Sequence, residues 1–183
     1  MNKLSGLIIR NDHDELLILL ERFYQKDQVI VNYDRHCDDC PNEKIDIGSW
    51  AHYGKKFGVI KTYVWVPALE TFFDWFRIRI ARRRIKKIKE PIVLSICYDY
   101  LIGLRMDMGD VEKKIDGIFE DMRTFGLSIK FIFAARSTEY CHADRIKYVD
   151  ELLVERFKDV GIMLSPLSQR LLTPRPSRNH LLA

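Results

Sequence analysis

Residues 110–135, DVEKKIDGIFEDMRTFGLSIKFIFAA, hold two successive patterns that decide the fold class. The first is a set of apolar residues at helical spacing: Val111, Ile115, Ile118, Phe119, Met122 and Phe125. Gly126 follows and is typical of a helix end, where glycine readily adopts a left-handed conformation. Apolar residues then alternate over 127–133, as they do in a strand. A helix that leads directly into a strand predicts one unit of a layered α/β fold.

The same alternation of strand and helix extends in both directions from this unit. Strands are predicted at 4–9, 29–33, 59–66, 92–97 and 127–133, with a last short one at 162–164. For 92–97, a helix running to Leu104 is the alternative. The chain is therefore expected to form a single α/β domain over residues 1–164. Its sheet should be mixed, at least partly parallel, and covered by helices. Residues 165–183 are predicted to be an extended, basic, proline-containing tail.

The bulk composition fits one folded domain of 183 residues with a hydrophobic fraction of 47% and a net charge of +4. No apolar run reaches the ~18 residues of a membrane-spanning helix, and the first residues do not resemble a signal peptide. A cytoplasmic location is the resulting expectation. The charge is unevenly distributed. Residues 77–89 carry eight bases and no acid, the tail adds three arginines, and the remainder has 19 bases against 26 acids.

The segment 68–89 is predicted to be an aromatic-basic helix, opened by Pro67. Its basic residues are Arg77, Arg79, Arg82, Arg83, Arg84, Lys86, Lys87 and Lys89. On a helical wheel, the aromatic residues of 72–76 and the apolar residues of 78–88 fall on different faces. The aromatic half is therefore expected to anchor in the core. The basic half is expected to be exposed and to bind an acidic partner.

Binding to the phosphate backbone of nucleic acid, without catalysis, is the function that this charge distribution favours first. The alternatives are a solvated helix face and a structural or assembly subunit. Such a subunit would dock on a protein partner, or form a homo-oligomer, through the same helix and tail. A membrane surface is disfavoured, because the aromatic and basic halves do not share one face of the helix.

Residues 34–58 form a loop-rich segment in which Cys37 and Cys40 stand at CxxC spacing and His52 follows. Two thiolates on one turn supply half of a zinc site, so these three residues are the predicted metal ligands and zinc the predicted ion. Loop cysteines without a metal are the alternative, because no second close pair is present in the sequence.

Asp107 and Asp110 precede the helix of residues 111–125 and could hold magnesium for phosphodiester cleavage, which makes a metal-dependent nuclease a further alternative. Helix capping by Asp110 explains the same residues without catalysis. His13 lies between two aspartates at a strand-to-helix junction, where sites of α/β folds gather, although capping also selects such residues. The chain has no GxGxxG, Walker A, GxSxG or HExxH motif.

Overall fold

The computed structural model describes residues 6–24, 26–102, 108–139, 141–159 and 161, which form alternating strands and helices. The strands are β1 (Leu7–Arg10), β2 (Gln28–Tyr33), β3 (Ile60–Val66), β4 (Ile92–Cys97) and β5 (Ile129–Ala135). The helices are α1 (Glu15–Phe23), α2 (Trp50–Lys56), α3 (Phe72–Ile85), α4 (Tyr98–Ile102), α5 (Met108–Phe125) and α6 (Ala143–Asp159). None of the described helices is both long enough and apolar enough to cross a membrane.

The five strands form one sheet in the order β1-β5-β4-β2-β3, and every pairing among the described residues is parallel. The α/β prediction is confirmed, and the sheet is parallel throughout its described strands. Strands β2 and β4 are buried at every position, because helices cover both faces of the sheet. Residues 92–97 form a strand, and helix α4 follows it directly.

Two apolar layers lie on the two faces of the sheet, since successive strand residues point to opposite sides. One layer contains Val31 and Leu94 together with residues of α3, α4, α5 and α6. The other contains Ile30 and Val93 together with residues of α1 and α2. Gly54 of α2 lies so close to Ile60 that an added Cβ would come within 2.5 Å of the Ile60 side chain. Glycine at this position therefore lets α2 lie directly against β3.

The predicted elements around residues 110–135 are present as α5 and β5, and α6 follows them. The loop-rich segment 34–58 contains irregular structure up to Ser49 and then the short helix α2. The last predicted strand, 162–164, and the tail, 165–183, lie outside the described residues.

Helix α3 corrects the prediction for the aromatic half of residues 68–89. The helix begins after a capping box, in which Thr71 accepts from the Asp74 backbone N–H and Asp74 accepts from the Thr71 backbone N–H. Its buried apolar residues are Ala81 and Ile85, and Ile78 packs beside them. A straight helix can bury only one of its faces against the sheet. In α3 the buried face is the aliphatic one, which contains Ile78, Ala81 and Ile85.

The aromatic residues are consequently exposed, so the expectation of a core anchor at residues 72–76 was wrong. Phe72 and Phe73 are each 71% exposed, and Trp75, Phe76 and Ile80 are also exposed. The rings pack on one another, with Phe72 stacked on Trp75 at 6.2 Å between centroids. The guanidinium of Arg79 lies 4.6 Å from the centre of the Trp75 ring.

Candidate metal centre

Polar side chains from four strand ends meet at the carboxyl edge of the sheet. Asp34 directly follows β2, and Cys97 is the last residue of β4. His13 lies between β1 and α1, and Ser137 lies just after β5. All strands are parallel, so their carboxyl ends share one edge. The chain leaves β2 toward β3 and leaves β4 in the other direction toward β5, which makes the gap between β2 and β4 a topological switch point.

The side chains at this edge form two sets of potential metal ligands. The first ligand group is His13, Asp34 and Cys97, and the second is Asp34, His36 and Asp99. Within each group, the ligand atoms lie within 4.8 Å of one another. Asp34 belongs to both groups, so one carboxylate is common to them.

His13 is held on both sides of its ring. Its Nδ1 lies 2.8 Å from Asp34 Oδ2 and 3.3 Å from Asp38 Oδ2, while its Nε2 lies 2.8 Å from the Ser95 hydroxyl. The ring also contacts that of Trp50. Burial lowers the pKa of His13, in spite of the opposing effect of the nearby carboxylates. With Ser95 on Nε2, Nδ1 is the atom that His13 presents to the carboxylates.

Asp34 and Asp38 are both buried beside this ring. The backbone N–H of His36 donates to Asp34 Oδ1 at 2.8 Å, and Trp50 Nε1 donates to Asp38 Oδ2 at 2.8 Å. Burial, followed by the charge of Asp99, raises the pKa of Asp34 to about 7. Burial, followed by the charge of Asp34, raises the pKa of Asp38 to about 8. Two carboxyls with raised pKa values at one place form a site that a cation would stabilise.

Asp99 and His36 form the outer side of the cluster. His36 Nδ1 lies 2.8 Å from Asp99 Oδ2, and the His36 side chain is 54% exposed, so this side faces solvent. The hydrogen bond to Asp99 raises the pKa of His36. Burial opposes ionisation of Asp99, but the bond from His36 holds the Asp99 pKa below its usual range. Asp99 Oδ1 is buried without a hydrogen-bond partner among the described residues.

Cys97 completes the inner side. Its side chain is buried, and its Sγ lies 2.8 Å from the hydroxyl of Ser137. Burial, followed by the charges of Asp34 and Asp99, raises the pKa of the Cys97 thiol well above its usual range. A thiol in this environment stays protonated unless a cation binds beside it.

A cleft of about 190 Å³ opens onto these side chains. The residues that line it are His13, Asp34, His36, Asp38, Ile47, Gly48, Cys97, Asp99 and Ser137. Ile47 and Gly48 belong to the loop before α2, so that loop forms one wall of the cleft. The cleft therefore combines buried imidazole, carboxyl and thiol groups with an opening to solvent at His36.

These residues fit divalent cations on three grounds. Imidazole nitrogen, carboxylate oxygen and thiolate sulfur are the ligands that zinc and related metals take in proteins. Ser95 holds the outer nitrogen of His13, as hydrogen-bond partners of metal-binding histidines do. The buried Asp99 Oδ1 has the free lone pairs that a metal ligand needs.

The predicted zinc ligands Cys37, Cys40 and His52 occur in neither ligand group, and all three are described residues. Cys40 is exposed and Cys37 half-buried, and neither is in a disulfide. The His52 ring packs edge-on against Tyr53. The potential metal ligands include Asp34 and His36 of the same loop, together with His13, Cys97 and Asp99 from other strand ends.

The predicted magnesium ligands are Asp107 and Asp110. Asp107 lies outside the described residues. Asp110 is in the first turn of α5, where its carboxylate lies 3.6 Å from Lys113 Nζ. The nuclease hypothesis therefore stays a prediction.

The sequence alone indicated His13 as a candidate site residue at a strand-to-helix junction, but it did not reveal the cluster around His13. The missed signal is the alternation of Asp34, His36 and Asp38 immediately after an apolar strand. Cys97 and Asp99 show the same two-residue spacing at the end of β4. Charged or thiol side chains two residues apart, at two strand ends that a parallel sheet brings together, indicate a shared site.

All eight predicted nucleic-acid ligands of residues 77–89 are exposed. Several have partners within the chain: Arg82 pairs with Asp121 at 3.0 Å, Arg77 pairs with Asp74 at 3.2 Å, and Arg84 donates to the Tyr63 carbonyl at 2.9 Å. These bonds hold part of the basic surface against the domain.

Comparison with known proteins supports the fold alone. No protein-family model and no curated protein matches the chain. Among solved structures, the chain is similar to a hypothetical agmatinase from Burkholderia thailandensis, with a TM-score of 0.53 and 19% sequence identity. The match covers 85% of this chain and 60% of that chain. The two proteins therefore share an α/β fold, and this chain spans less than two thirds of its neighbour.

Proposed function

We propose that this protein is a metal-dependent hydrolase with a two-metal centre in the cleft at the carboxyl edge of the sheet. The observation that carries the proposal is Asp34, a buried carboxylate that belongs to both ligand groups. Two cations bound at these groups would share Asp34 as a ligand. The other members are His13 and Cys97 in the first ligand group and His36 and Asp99 in the second.

Bound divalent cations would supply Lewis acidity and would lower the pKa of a water molecule enough to make it a nucleophile near neutral pH. The chain's own residues have three further roles. Ser95 fixes the orientation of the His13 ring. Trp50 fixes Asp38 beside that ring. His36, a member of the second ligand group, lies at the solvent-facing side, where its contact with Asp99 fixes the orientation of its ring.

A guanidinium group is the substrate class that we infer. Asp38 is a carboxyl that lines the cleft and belongs to neither ligand group, so it is available to pair with a planar cation, and the cleft has a volume of about 190 Å³. The structural neighbour is a hypothetical agmatinase, an enzyme class named for a guanidinium compound, agmatine. In the reaction, water adds to the guanidinium carbon, one C–N bond breaks, and the departing nitrogen takes a proton, which yields urea and an amine.

The test measures metal content and urea release in parallel. The protein is loaded with zinc, manganese or cobalt, and bound metal is counted by elemental analysis before agmatine and arginine are offered as substrates. We expect about two metal ions per chain and urea release. The substitution Asp34→Asn should remove both ions and lower the rate by at least about a hundredfold, since even outer-shell changes cost about 10–100-fold.

Glu43→Gln is the matched control, because it makes the same acid-to-amide change on an exposed position of the same loop. It should leave metal content and rate unchanged. Failure of the wild-type protein to bind any divalent cation would refute the proposal. Metal binding without urea release would refute the guanidinium substrate and retain the metal centre.

Nucleic-acid binding through helix α3 is a second candidate function, favoured by the exposure of its basic residues. Arg83, Lys86 and Lys87 are exposed and have no ion pair within the part of the chain that the structure describes. Each cation that contacts a phosphate releases a counterion, so affinity should fall steeply with salt. Docking on a protein partner uses the same surface and stays the alternative prediction.

Binding of a generic duplex and a single strand, measured across salt concentrations, tests this second candidate. Changing Arg83, Lys86 and Lys87 to Ala should weaken binding and reduce the salt slope by up to about three for a duplex. Changing Arg22, Lys55 and Lys56 to Ala is a control that removes an equal charge from α1 and α2. Equal losses in both triple variants would indicate general charge attraction instead of an α3 contact.

A further inference from the structure

The two ligand groups differ in one donor atom. The second group offers one imidazole nitrogen and carboxylate oxygens from Asp34 and Asp99. The first group offers the imidazole nitrogen of His13, a carboxylate oxygen of Asp34 and the sulfur of Cys97. Thiolate sulfur is a soft ligand that selects metals such as zinc, whereas carboxylate oxygens suit harder ions such as magnesium and manganese. Only the first ligand group therefore contains a soft sulfur ligand.

The position of Cys97 holds its sulfur firmly at the cleft. Cys97 ends β4, the central strand, which pairs with β5 on one side and with β2 on the other. Its side chain is 2% exposed, yet it lines the cleft. A thiol that is buried from bulk solvent and open to an internal cleft can reach a bound ion while it is protected from other reactants.

Ser137 is the hydrogen-bond partner that a metal-binding sulfur would need. Its hydroxyl lies 2.8 Å from Cys97 Sγ. Ser137 has a φ of 48°, which is unusual for a residue other than glycine, and its backbone N–H donates to the Asn11 carbonyl at 2.9 Å. The connection between β1 and α1 therefore fixes the serine that touches the sulfur. Such outer partners orient metal ligands.

The spacing of the first ligand group is close to that of a zinc site. Its ligand atoms lie within 4.8 Å of one another. Zinc bond lengths in a tetrahedral site place such atoms about 3.3–3.6 Å apart. His13 Nδ1 and Asp34 Oδ2 lie 2.8 Å apart, so these two atoms would separate slightly when an ion binds between them.

We propose that Cys97 is a metal ligand whose thiolate makes the first ligand group more selective for zinc over manganese than the second ligand group, which has no sulfur. This inference rests on the proposed two-metal centre and specifies the metal at one of its positions. The competing interpretation is that Cys97 is a buried structural thiol, bonded to Ser137 and not to a metal.

Cobalt substitution distinguishes the two interpretations on the unmodified protein. Cobalt bound to a thiolate gives an intense near-ultraviolet charge-transfer band, whereas cobalt bound only to nitrogen and oxygen does not. We expect this band to appear on titration with cobalt. Zinc-edge X-ray absorption of the zinc-loaded protein should show one sulfur scatterer at about 2.3 Å per pair of zinc ions. Binding of two ions without the band and without sulfur scattering would overturn the inference and leave the proposed function standing.

Single substitutions assign the sulfur. Cys97→Ser should abolish the charge-transfer band while ions at the second ligand group still bind. Cys141→Ser is the matched control, because Cys141 is also a buried free cysteine and belongs to neither ligand group. Cys40→Ser tests the predicted CxxC site. Loss of the band in Cys40→Ser with retention in Cys97→Ser would move the thiolate ligand to that loop and overturn the inference.

Competition between metals measures the selectivity itself. The protein is equilibrated with equal concentrations of zinc and manganese, and the bound metals are counted after removal of free ions. Cys97→Asp replaces sulfur with oxygen and should lower the bound zinc-to-manganese ratio by about tenfold or more. An unchanged ratio in this variant would contradict the role of the thiolate. If no metal binds to the wild-type protein, both the inference and the proposed function fail.

Discussion

The ionisable groups of the cleft are mostly buried, whereas the basic residues of helix α3 are exposed. In the cleft, Asp34, Asp38 and Asp99 are buried near two histidines, and two of these carboxyls have raised pKa values. On α3, basic residues of one sign are exposed beside exposed aromatic rings. Buried charges interact strongly because little water screens them, whereas exposed charges are screened by solvent and salt. The two regions should therefore respond differently to substitution.

The largest change in stability is expected from substitutions on the buried face of helix α3, and the exposed face of the same helix provides the control. Ile85 is fully buried against the sheet, while Ile80 on the same helix is 56% exposed. Ile85→Ala should lower the free energy of unfolding by about 2–5 kcal/mol, because it leaves a cavity in the core. Ile80→Ala, the matched control, should change it by at most about 0.5 kcal/mol. Denaturant unfolding of both variants checks this. Similar losses of unfolding free energy at both positions would contradict the exposure of Ile80.

Metal binding should stabilise the cleft by a comparable amount. A ligand that binds only the folded chain adds about 2.7 kcal/mol when its concentration is a hundred times its Kd. Thermal unfolding with and without zinc is therefore expected to show a rise of several degrees in Tm, which a chelator reverses. Asp34→Asn should lose the rise, since Asp34 serves both ligand groups. An equal rise in that variant would place the metal outside the cleft.

A smaller effect is expected from a residue that touches no metal. Ser95 is fully buried, and its hydroxyl lies 2.8 Å from His13 Nε2. Ser95→Ala should weaken zinc binding by about 10–100-fold, because the His13 ring loses its outer partner. Zinc competition with a coloured chelator provides the measurement. Ser128→Ala, at an exposed serine that is outside both ligand groups, should leave zinc affinity unchanged. Unchanged affinity in Ser95→Ala would show that Ser95 does not position His13.

The smallest predicted effect concerns the start of α3. Thr71→Ala should cost about 1 kcal/mol, because the capping box loses its side-chain bonds. The hydrogen bonds from Thr71 lower the pKa of Asp74 below its ordinary value of 3.8. The ionised Asp74 therefore stabilises the fold above pH 3.8, and this contribution is lost as the pH falls through the lower folded pKa.

Denaturant unfolding across pH checks this dependence with Asp74→Asn. The difference in unfolding free energy from the wild type should be largest above pH 3.8 and should shrink in more acidic solution. A difference that grows with acidity would contradict the assigned sign.

The helix and strand of the α5–β5 unit were predicted from the sequence alone. Its helical stripe from Val111 and the alternation after Gly126 depend on spacing along one chain, which local periodicity records directly. The same spacing rule misled at residues 72–76. Two apolar stripes were present on α3, and periodicity cannot say which of them faces a sheet. The aliphatic stripe at Ala81 and Ile85 occupies that contact.

By itself, the sequence determined the α/β class, most strands and helices, and the strong asymmetry of charge, because these follow from composition and from neighbours along the chain. Only the tertiary structure decided the candidate site. His13, Asp34 and Cys97 are far apart in sequence, and they meet because a parallel sheet in the order β1-β5-β4-β2-β3 brings their strand ends to one edge. Strand order is set by long-range packing, which no local pattern specifies.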